Sequence, residues 1–197
     1  MKEDKEFLKE LSERLEKALE ISSDCELCPR KCHVNRLKGE KGFCKTGRNA
    51  VVSSFGPHFG EEKVLVGRHG SGTIFFTHCN MACVFCQNYD ISQLGKGKEV
   101  SAQELANTML ELQKMGCHNI NLVSPTHCVP QIMEALLYAF EGGLKVPIVY
   151  NTGGYDSVDT LKLLEGIVDI YMPDIKYGND ERGMRYSSAP NYFSVAK

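Results

Sequence analysis

Thr73-Ile74-Phe75-Phe76-Thr77-His78-Cys79-Asn80-Met81-Ala82-Cys83-Val84-Phe85-Cys86 runs from an apolar stretch straight into three closely spaced cysteines. The tetrad Thr73 to Phe76 reads as a buried strand, so the cysteines lie in the loop that leaves its carboxyl end. Their spacing, C-x3-C-x2-C, lets three thiols converge on one small volume. Soft thiolates select zinc or iron–sulfur clusters, but a structural zinc takes four closed ligands and this loop offers three cysteines. If Cys79, Cys83 and Cys86 hold three irons of a [4Fe–4S] cluster, the fourth iron stays open to a small bidentate ligand. On spacing alone two other readings stand beside this one: a zinc site completed by His78, and an electron-transfer cluster completed from elsewhere.

Downstream of that loop, strands and helices alternate. Ser101 and Glu104 form a capping box that opens a helix through Leu105, Met109, Leu112 and Met115, closed by Gly116. A strand is expected at Ile120–Val123, a helix at 129–140 ending at Gly142-Gly143, and a strand at Val146–Tyr150. Ser157 caps a short helix to Glu165, and Val168–Met172 makes a further strand. Consecutive βα units give parallel strands through right-handed crossovers, hence an α/β fold with part of a (β/α) barrel. In such folds the loops at the carboxyl ends of the strands build the site. Those loops here are Cys79–Cys86, Ser124–Cys128, Asn151–Tyr155 and Pro173–Tyr177.

Upstream, Phe7, Leu8, Leu11, Leu15, Ala18 and Leu19 recur at helical spacing amid Lys and Glu, which predicts an amphipathic helix within residues 1–24. Residues 25–66 form a cysteine-rich module and linker with little apolar periodicity. Cys25-x2-Cys28-x3-Cys32-x11-Cys44 supplies four thiolates, a closed set suited to structural zinc or to an auxiliary iron–sulfur cluster. Metal binding would substitute there for missing apolar burial. His33, beside Cys32, reads as a surface residue. Cys117 and Cys128 read as small buried hydrophobes, with a cavity-facing thiol at Cys128 as the alternative. His127 lies in an expected site loop, where a solvated histidine is the plainer reading.

The chain has 197 residues, a net charge of −2 and no long basic run, so nothing in it calls for nucleic acid or an anionic membrane. The charged N-terminus lacks a secretory apolar region and no apolar stretch reaches membrane-spanning length, which predicts a cytoplasmic protein. Nine cysteines in a reducing compartment argue for metal ligation over disulfides. The glycines of 67–72 lack the Lys-Ser/Thr of a phosphate loop.

The C-x3-C-x2-C spacing with Phe85 before the third cysteine resembles the radical S-adenosylmethionine superfamily. Cys25-Glu26-Leu27-Cys28-Pro29-Arg30-Lys31-Cys32-His33-Val34-Asn35-Arg36 and Gly70-Ser71-Gly72-Thr73-Ile74-Phe75-Phe76 are similar to its pyruvate formate-lyase activating enzyme-related, PflX-like branch. The resemblance implies a [4Fe–4S] cluster and S-adenosylmethionine, cleaved reductively to a 5′-deoxyadenosyl radical that abstracts hydrogen. It also implies a protein substrate of the glycyl radical enzyme kind and an electron donor such as flavodoxin or ferredoxin. Cofactor contacts carried over are Phe85, Ser124, Thr126, Asn151, Thr152, Asp174 and Lys176. Where the superfamily usually has a Gly-Gly-Glu-like loop, this chain has Ser124-Pro125-Thr126, whose hydroxyls can accept from an ammonium. Residues 67–197 are then the radical core, with about four βα units visible against roughly six expected, and a C-terminally truncated family member is the expectation. Two readings compete with the radical enzyme: a non-catalytic metal-binding scaffold or electron-transfer protein, and a zinc hydrolase-like site at Cys79 to Cys86.

Overall fold

The computed structural model describes residues 2 and 4–197. Helix α1 (Lys5–Ser23) is followed by a 3-10 turn at Arg36–Lys38, strand β1 (Ala50–His58), a single turn α2 (Lys63–Val66) and strand β2 (Ser71–Phe76). Then come α3 (Tyr89–Ser92), β3 (Lys98–Val100), α4 (Ala102–Lys114), β4 (Ile120–Val123), a 3-10 turn at Thr126–Cys128 and α5 (Val129–Glu141). The chain continues through β5 (Ile148–Thr152), α6 (Val158–Leu163), β6 (Ile170–Pro173), α7 (Asp180–Ser187) and α8 (Tyr192–Ala196).

Six strands form one sheet in the order β3-β1-β2-β4-β5-β6. Strands β2, β4, β5 and β6 run parallel, linked by α4, α5 and α6, which is the expected part-barrel of βα units. Two strands go beyond the sequence reading. β1 pairs antiparallel with β2, and β3 pairs antiparallel with β1. Their local sequences, Val-Val-Ser-Ser-Phe-Gly-Pro and Lys-Glu-Val, carry little strand signature. Pairing makes them strands, and pairing is a property of the partner. Pro57 is tolerated because β3 pairs only with Ala50–Val52, so the face of β1 beside Pro57 needs no N–H.

The capping box at Ser101 is present in both directions: the Ser101 Oγ accepts from the Glu104 N–H, and the Glu104 carboxylate accepts from the Ser101 N–H. Strands β5 and β6 begin two residues later than the periodicity suggests. The amides of Lys145 and Val146 donate to the Gln113 side chain, so the β5 ladder starts beyond them, at Ile148, whose own amide donates to Asp169. As a result Asn151 and Thr152 stand on the end of β5 rather than in the following loop.

The core lies between the sheet and α1, α4 and α5. Ile74, Leu122, Met109 and Leu136 are wholly buried, each contributing about 1.5–3 kcal/mol. α1 buries Leu11, Leu15 and Ala18, and its Phe7 ring meets Phe140 edge-on at 5.7 Å. At the other side β6 is the last strand, and its Ile170 and Tyr171 are exposed. Among the described residues no helix is long and apolar enough to cross a membrane.

Candidate active site

The carboxyl ends of the parallel strands open onto a cavity of about 660 Å³. Cys79, Cys83, Phe85 and Cys86 from the loop after β2 line it, as do Ser124 and Thr126 after β4, Asn151 and Thr152 on β5, and Asp174 and Lys176 after β6. All the central cofactor-site residues expected from sequence therefore share one wall system, because four parallel strands end at one level.

The cysteine loop is shaped by its neighbours. Thr77 N–H donates to Val51 O, and His78 turns into the left-handed region at φ +63°. The amides of Ala82 and Val84 donate to Ser187 O and Tyr186 O, so α7 holds the middle of the loop. Each thiol has a polar neighbour: Met81 N–H at 3.4 Å from Cys79 Sγ, Ser187 Oγ at 2.9 Å from Cys83 Sγ, and Ser92 Oγ at 3.1 Å from Cys86 Sγ. Burial pushes the Cys79 thiol up to about 12 and raises Cys83, so ligation of a metal releases protons.

These residues fit an iron–sulfur cluster better than a single ion. Among the described residues, Asp24, Glu26 and His33, at the surface, are the one set of three ligand atoms mutually within 4.8 Å. At least one pair of the three loop sulfurs is therefore wider than that, whereas tetrahedral zinc holds its sulfurs about 3.8 Å apart. A cubane spreads its thiolates over its corners. His78, the expected fourth zinc ligand of the rival reading, lines the cavity but belongs to no such compact set.

Opposite the thiols, hydroxyls and one ion pair form the wall. Asp156, buried and unnoticed in the sequence, accepts from Thr126 Oγ1 at 2.7 Å, Tyr150 OH at 2.9 Å and Thr152 Oγ1 at 2.5 Å. It fixes the two threonines that face the cavity. Lys176 Nζ donates to Asp174 at 2.6 Å. Burial works to lower the lysine pKa, and the Asp174 hydrogen bond outweighs it, for a net upward shift. Gly154 has φ +76°, and a Cβ there would strike the Asp174 carbonyl, so only glycine lets β5 and β6 close up at this point. The Tyr192 hydroxyl spans the same joint, 2.8 Å from Gly153 O and 2.9 Å from Lys176 N.

The N-terminal cysteines also gather. Cys25, Cys28, Cys32 and Cys44 line one small pocket of about 10 Å³ together with Arg36 and His127. The module is fastened to the core by Arg48 on Glu134, at 2.7 and 3.0 Å, and by Thr160 Oγ1 donating to Leu27 O at 2.9 Å. His127 departs from the solvated-loop reading: the 3-10 turn tucks it inside at 2% exposure, away from the large cavity. Its Nε2–H donates to Thr77 O at 2.8 Å, and burial lowers its pKa to about 4. Cys128 is fully buried in the core and Cys117 nearly so, the packing role expected of both. His33 is exposed beside Asp24.

Sequence reasoning missed Asn80, Ser92, Asp156, Tyr177 and Ser187. Asn80 and Tyr177 lay inside expected site loops without being singled out. Ser92 and Asp156 have partners four to six residues away but sit in no motif, and Ser187 reaches Cys83 from a distant helix, for which a single chain carries no local sign.

The sequence pattern of the radical SAM superfamily matches residues 73–194. Uncharacterized protein MJ0674 of Methanocaldococcus jannaschii is 38% identical over 192 residues, covering 93% of this chain and 54% of that protein. Uncharacterized protein MJ0808 of the same organism is 26% identical over 178 residues, covering 79% and 50%. The chain spans about half the length of these curated relatives. With the family pattern laid over the sheet and the cysteine loop that edges its cavity, the chain belongs to the radical SAM superfamily, whose chemistry rests on a [4Fe–4S] cluster and S-adenosylmethionine.

Proposed function

We propose that this chain is a radical S-adenosylmethionine enzyme of the activating-enzyme-like kind. Its cluster is held by Cys79, Cys83 and Cys86, and its target is a C–H bond of a partner polypeptide, as in glycyl radical activation. When bound, the cluster supplies one electron that cleaves S-adenosylmethionine to methionine and a 5′-deoxyadenosyl radical. The observation that carries the reading is the three-cysteine loop opening onto a cavity with hydroxyl and charged walls.

The chain's own groups do the remaining work. Cys79, Cys83 and Cys86 would hold the cluster as thiolates, and their loop supplies no fourth cysteine. Thr126 and Thr152, aligned by Asp156, and Ser124 offer oxygens to an ammonium group. Lys176 offers a cation to a carboxylate, with Asp174 holding it in place. Asn151 offers amide contacts to a ribose, and Phe85 covers the loop edge-on to Tyr177. Phe85 is 55% exposed at the mouth, as suits contact with a macromolecular substrate. The similarity of Cys25–Arg36 to the PflX-like branch supports the activating-enzyme subtype. A flavodoxin or ferredoxin would supply electrons, and the N-terminal cysteines hold a second cluster or a zinc ion.

The test is anaerobic reconstitution with iron and sulfide, followed by dithionite and S-adenosylmethionine. The expected product is 5′-deoxyadenosine, lost in Cys83→Ala. A cluster that forms without yielding product would instead support an electron-transfer protein.

A further inference from the structure

The large cavity has two ends. One is the wall already described, between the cysteine loop and the ion pair of Lys176 with Asp174. The other is carried by β1, which runs antiparallel to β2 and brings His58, Gly60 and Glu61 to the same cavity. Phe75 and Val123, neighbours across β2 and β4, line the stretch between. The His58 ring meets Phe75 edge-on at 5.8 Å. A Cβ at Gly60 would come within 3.0 Å of that ring, so glycine lets the chain turn closely past His58 before Glu61. No cofactor contact expected from the sequence falls at this end.

Glu61 is half-buried, and among the described residues no hydrogen bond or ion pair holds its carboxylate. Lys176 is the one lysine or arginine among the described lining residues, and Asp174 engages it. A carboxylate left in this state is matched by a cation that a ligand brings. The rim on this side is apolar. Phe59, 63% exposed, stands between His58 and Gly60, and the exposed Tyr89 and Leu94 directly follow the lining residues Asn88 and Gln93. With Phe85 they make the kind of surface that a macromolecule covers. The side-chain amides of Gln87 and Asn88 also line the cavity, exposed and unpartnered among the described residues, and can pair with a peptide backbone.

We propose that the β1 end of the cavity is the substrate subsite, and that it selects a polypeptide segment with a lysine or arginine close to the reacting C–H bond. The cation of that residue pairs with Glu61, while the segment lies across the amides of Gln87 and Asn88 and the apolar rim of Phe59, Phe85 and Tyr89. Glu61 is then a specificity-determining residue. This deepens the proposed function and rests on it only in taking the occupant to be a polypeptide.

The test is a binding titration of the reconstituted whole chain with S-adenosylmethionine and without reductant. The probes are short, capped, fluorescein-labelled peptides built around a glycine and identical except for one neighbouring lysine, arginine, alanine or glutamate, read by fluorescence anisotropy. The lysine and arginine peptides should bind about tenfold more tightly than the alanine peptide, and the glutamate peptide more weakly still. Glu61→Gln should erase that preference and Glu61→Asp should keep most of it. Glu61→Lys should turn it towards the glutamate peptide, an inversion that a merely structural role would not give. Equal binding of all four peptides by the unmodified chain, binding of none, or a preference that survives Glu61→Gln overturns the proposal. Butylamine that competes as tightly as the lysine peptide binds would make this a small-amine site and overturns it too. If the Glu61 variants do not fold, the ranking by the unmodified chain decides, together with its loss at about 1 M salt; a ranking that salt leaves unmoved overturns the pairing. Failure of 5′-deoxyadenosine formation after reduction, with the peptide ranking intact, would strike the proposed function and leave this subsite standing.

Discussion

The two cysteine groups sit in opposite surroundings. Cys79, Cys83 and Cys86 are partly buried and open onto about 660 Å³ edged with hydroxyls, a lysine and a carboxylate. In the N-terminal group Cys25, Cys28 and Cys44 are buried, and the space between the thiols is about 10 Å³ beside a buried arginine. Three thiols and a large cavity leave a metal corner for a ligand. Four thiols and a closed pocket leave none, so that group is suited to holding structure. Position in the fold sets the difference: one group hangs from a strand end, where βα architecture makes cavities, and the other folds on itself against α6 and the 3-10 turn at 126–128.

The sharpest way to break that comparison is to remove one thiol from each group. Cys86→Ala should reduce 5′-deoxyadenosine formation to the enzyme-free background while shifting the melting temperature by only a few degrees. Cys28→Ala should lower the melting temperature by about 10 °C, because metal ligation replaces the core that residues 25–47 lack. Product assay and anaerobic thermal unfolding of both variants check this. Equal effects on the same quantity would show that the groups are not functionally distinct.

The next largest effect is in acid. His127 stands in the wall of the closed pocket with a pKa near 4, against about 6.5 unfolded, because burial disfavours its charged form. Between these values the unfolded state binds the extra proton, so stability present above pH 6.5 is lost as pH falls towards 4. The full loss is about 3 kcal/mol. Denaturant unfolding at pH 7 and pH 4.5 should show most of it. His127→Gln, whose amide can still donate to Thr77 O, should flatten the difference. His78, facing the open cavity, should contribute less.

The strand-end half of the comparison was legible in the sequence and the closed half only in outline. Thr73–Phe76 leading into Cys79, the Ser101 capping box and the glycine after α4 all carry local signals, and so did the parallel βα units. β1 and β3 were missed because Ser53, Ser54, Lys98 and Glu99 give no strand pattern until a neighbour pairs with them. His127 was misplaced because the burial of a 3-10 turn depends on what packs over it, here the N-terminal module. The four N-terminal cysteines were visible as a set, but the burial of Arg36 and His127 beside them needed coordinates.

Within the open cavity, Asp156 tests whether the hydroxyl wall binds ligand or merely closes the sheet. Asp156→Asn keeps the shape, but its amide nitrogen must face either Thr152 or the Thr126–Tyr150 pair, so at least one threonine meets a donor where it had an acceptor and loses its orientation. S-adenosylmethionine should bind about 10- to 30-fold more weakly, equivalent to roughly 1.4–2 kcal/mol, by calorimetry of the reconstituted protein. Unchanged affinity with a lowered melting temperature would make the cage structural.

The smallest effect sharpens the comparison at a single sulfur. A metal-bound thiolate only accepts hydrogen bonds, so Ser187 must donate to Cys83 Sγ, and the Tyr177 hydroxyl, 2.6 Å away, must then donate to Ser187. Such bonds favour the more negative, reduced cluster and raise its potential. Ser187→Ala removes about 1 kcal/mol of that preference, roughly 40 mV towards negative values for one electron, and Tyr177→Phe should remove a smaller part. Redox titration followed by electron paramagnetic resonance reads both shifts. If the potential holds in Ser187→Ala, the hydroxyl packs against the Cys83 sulfur without tuning the centre.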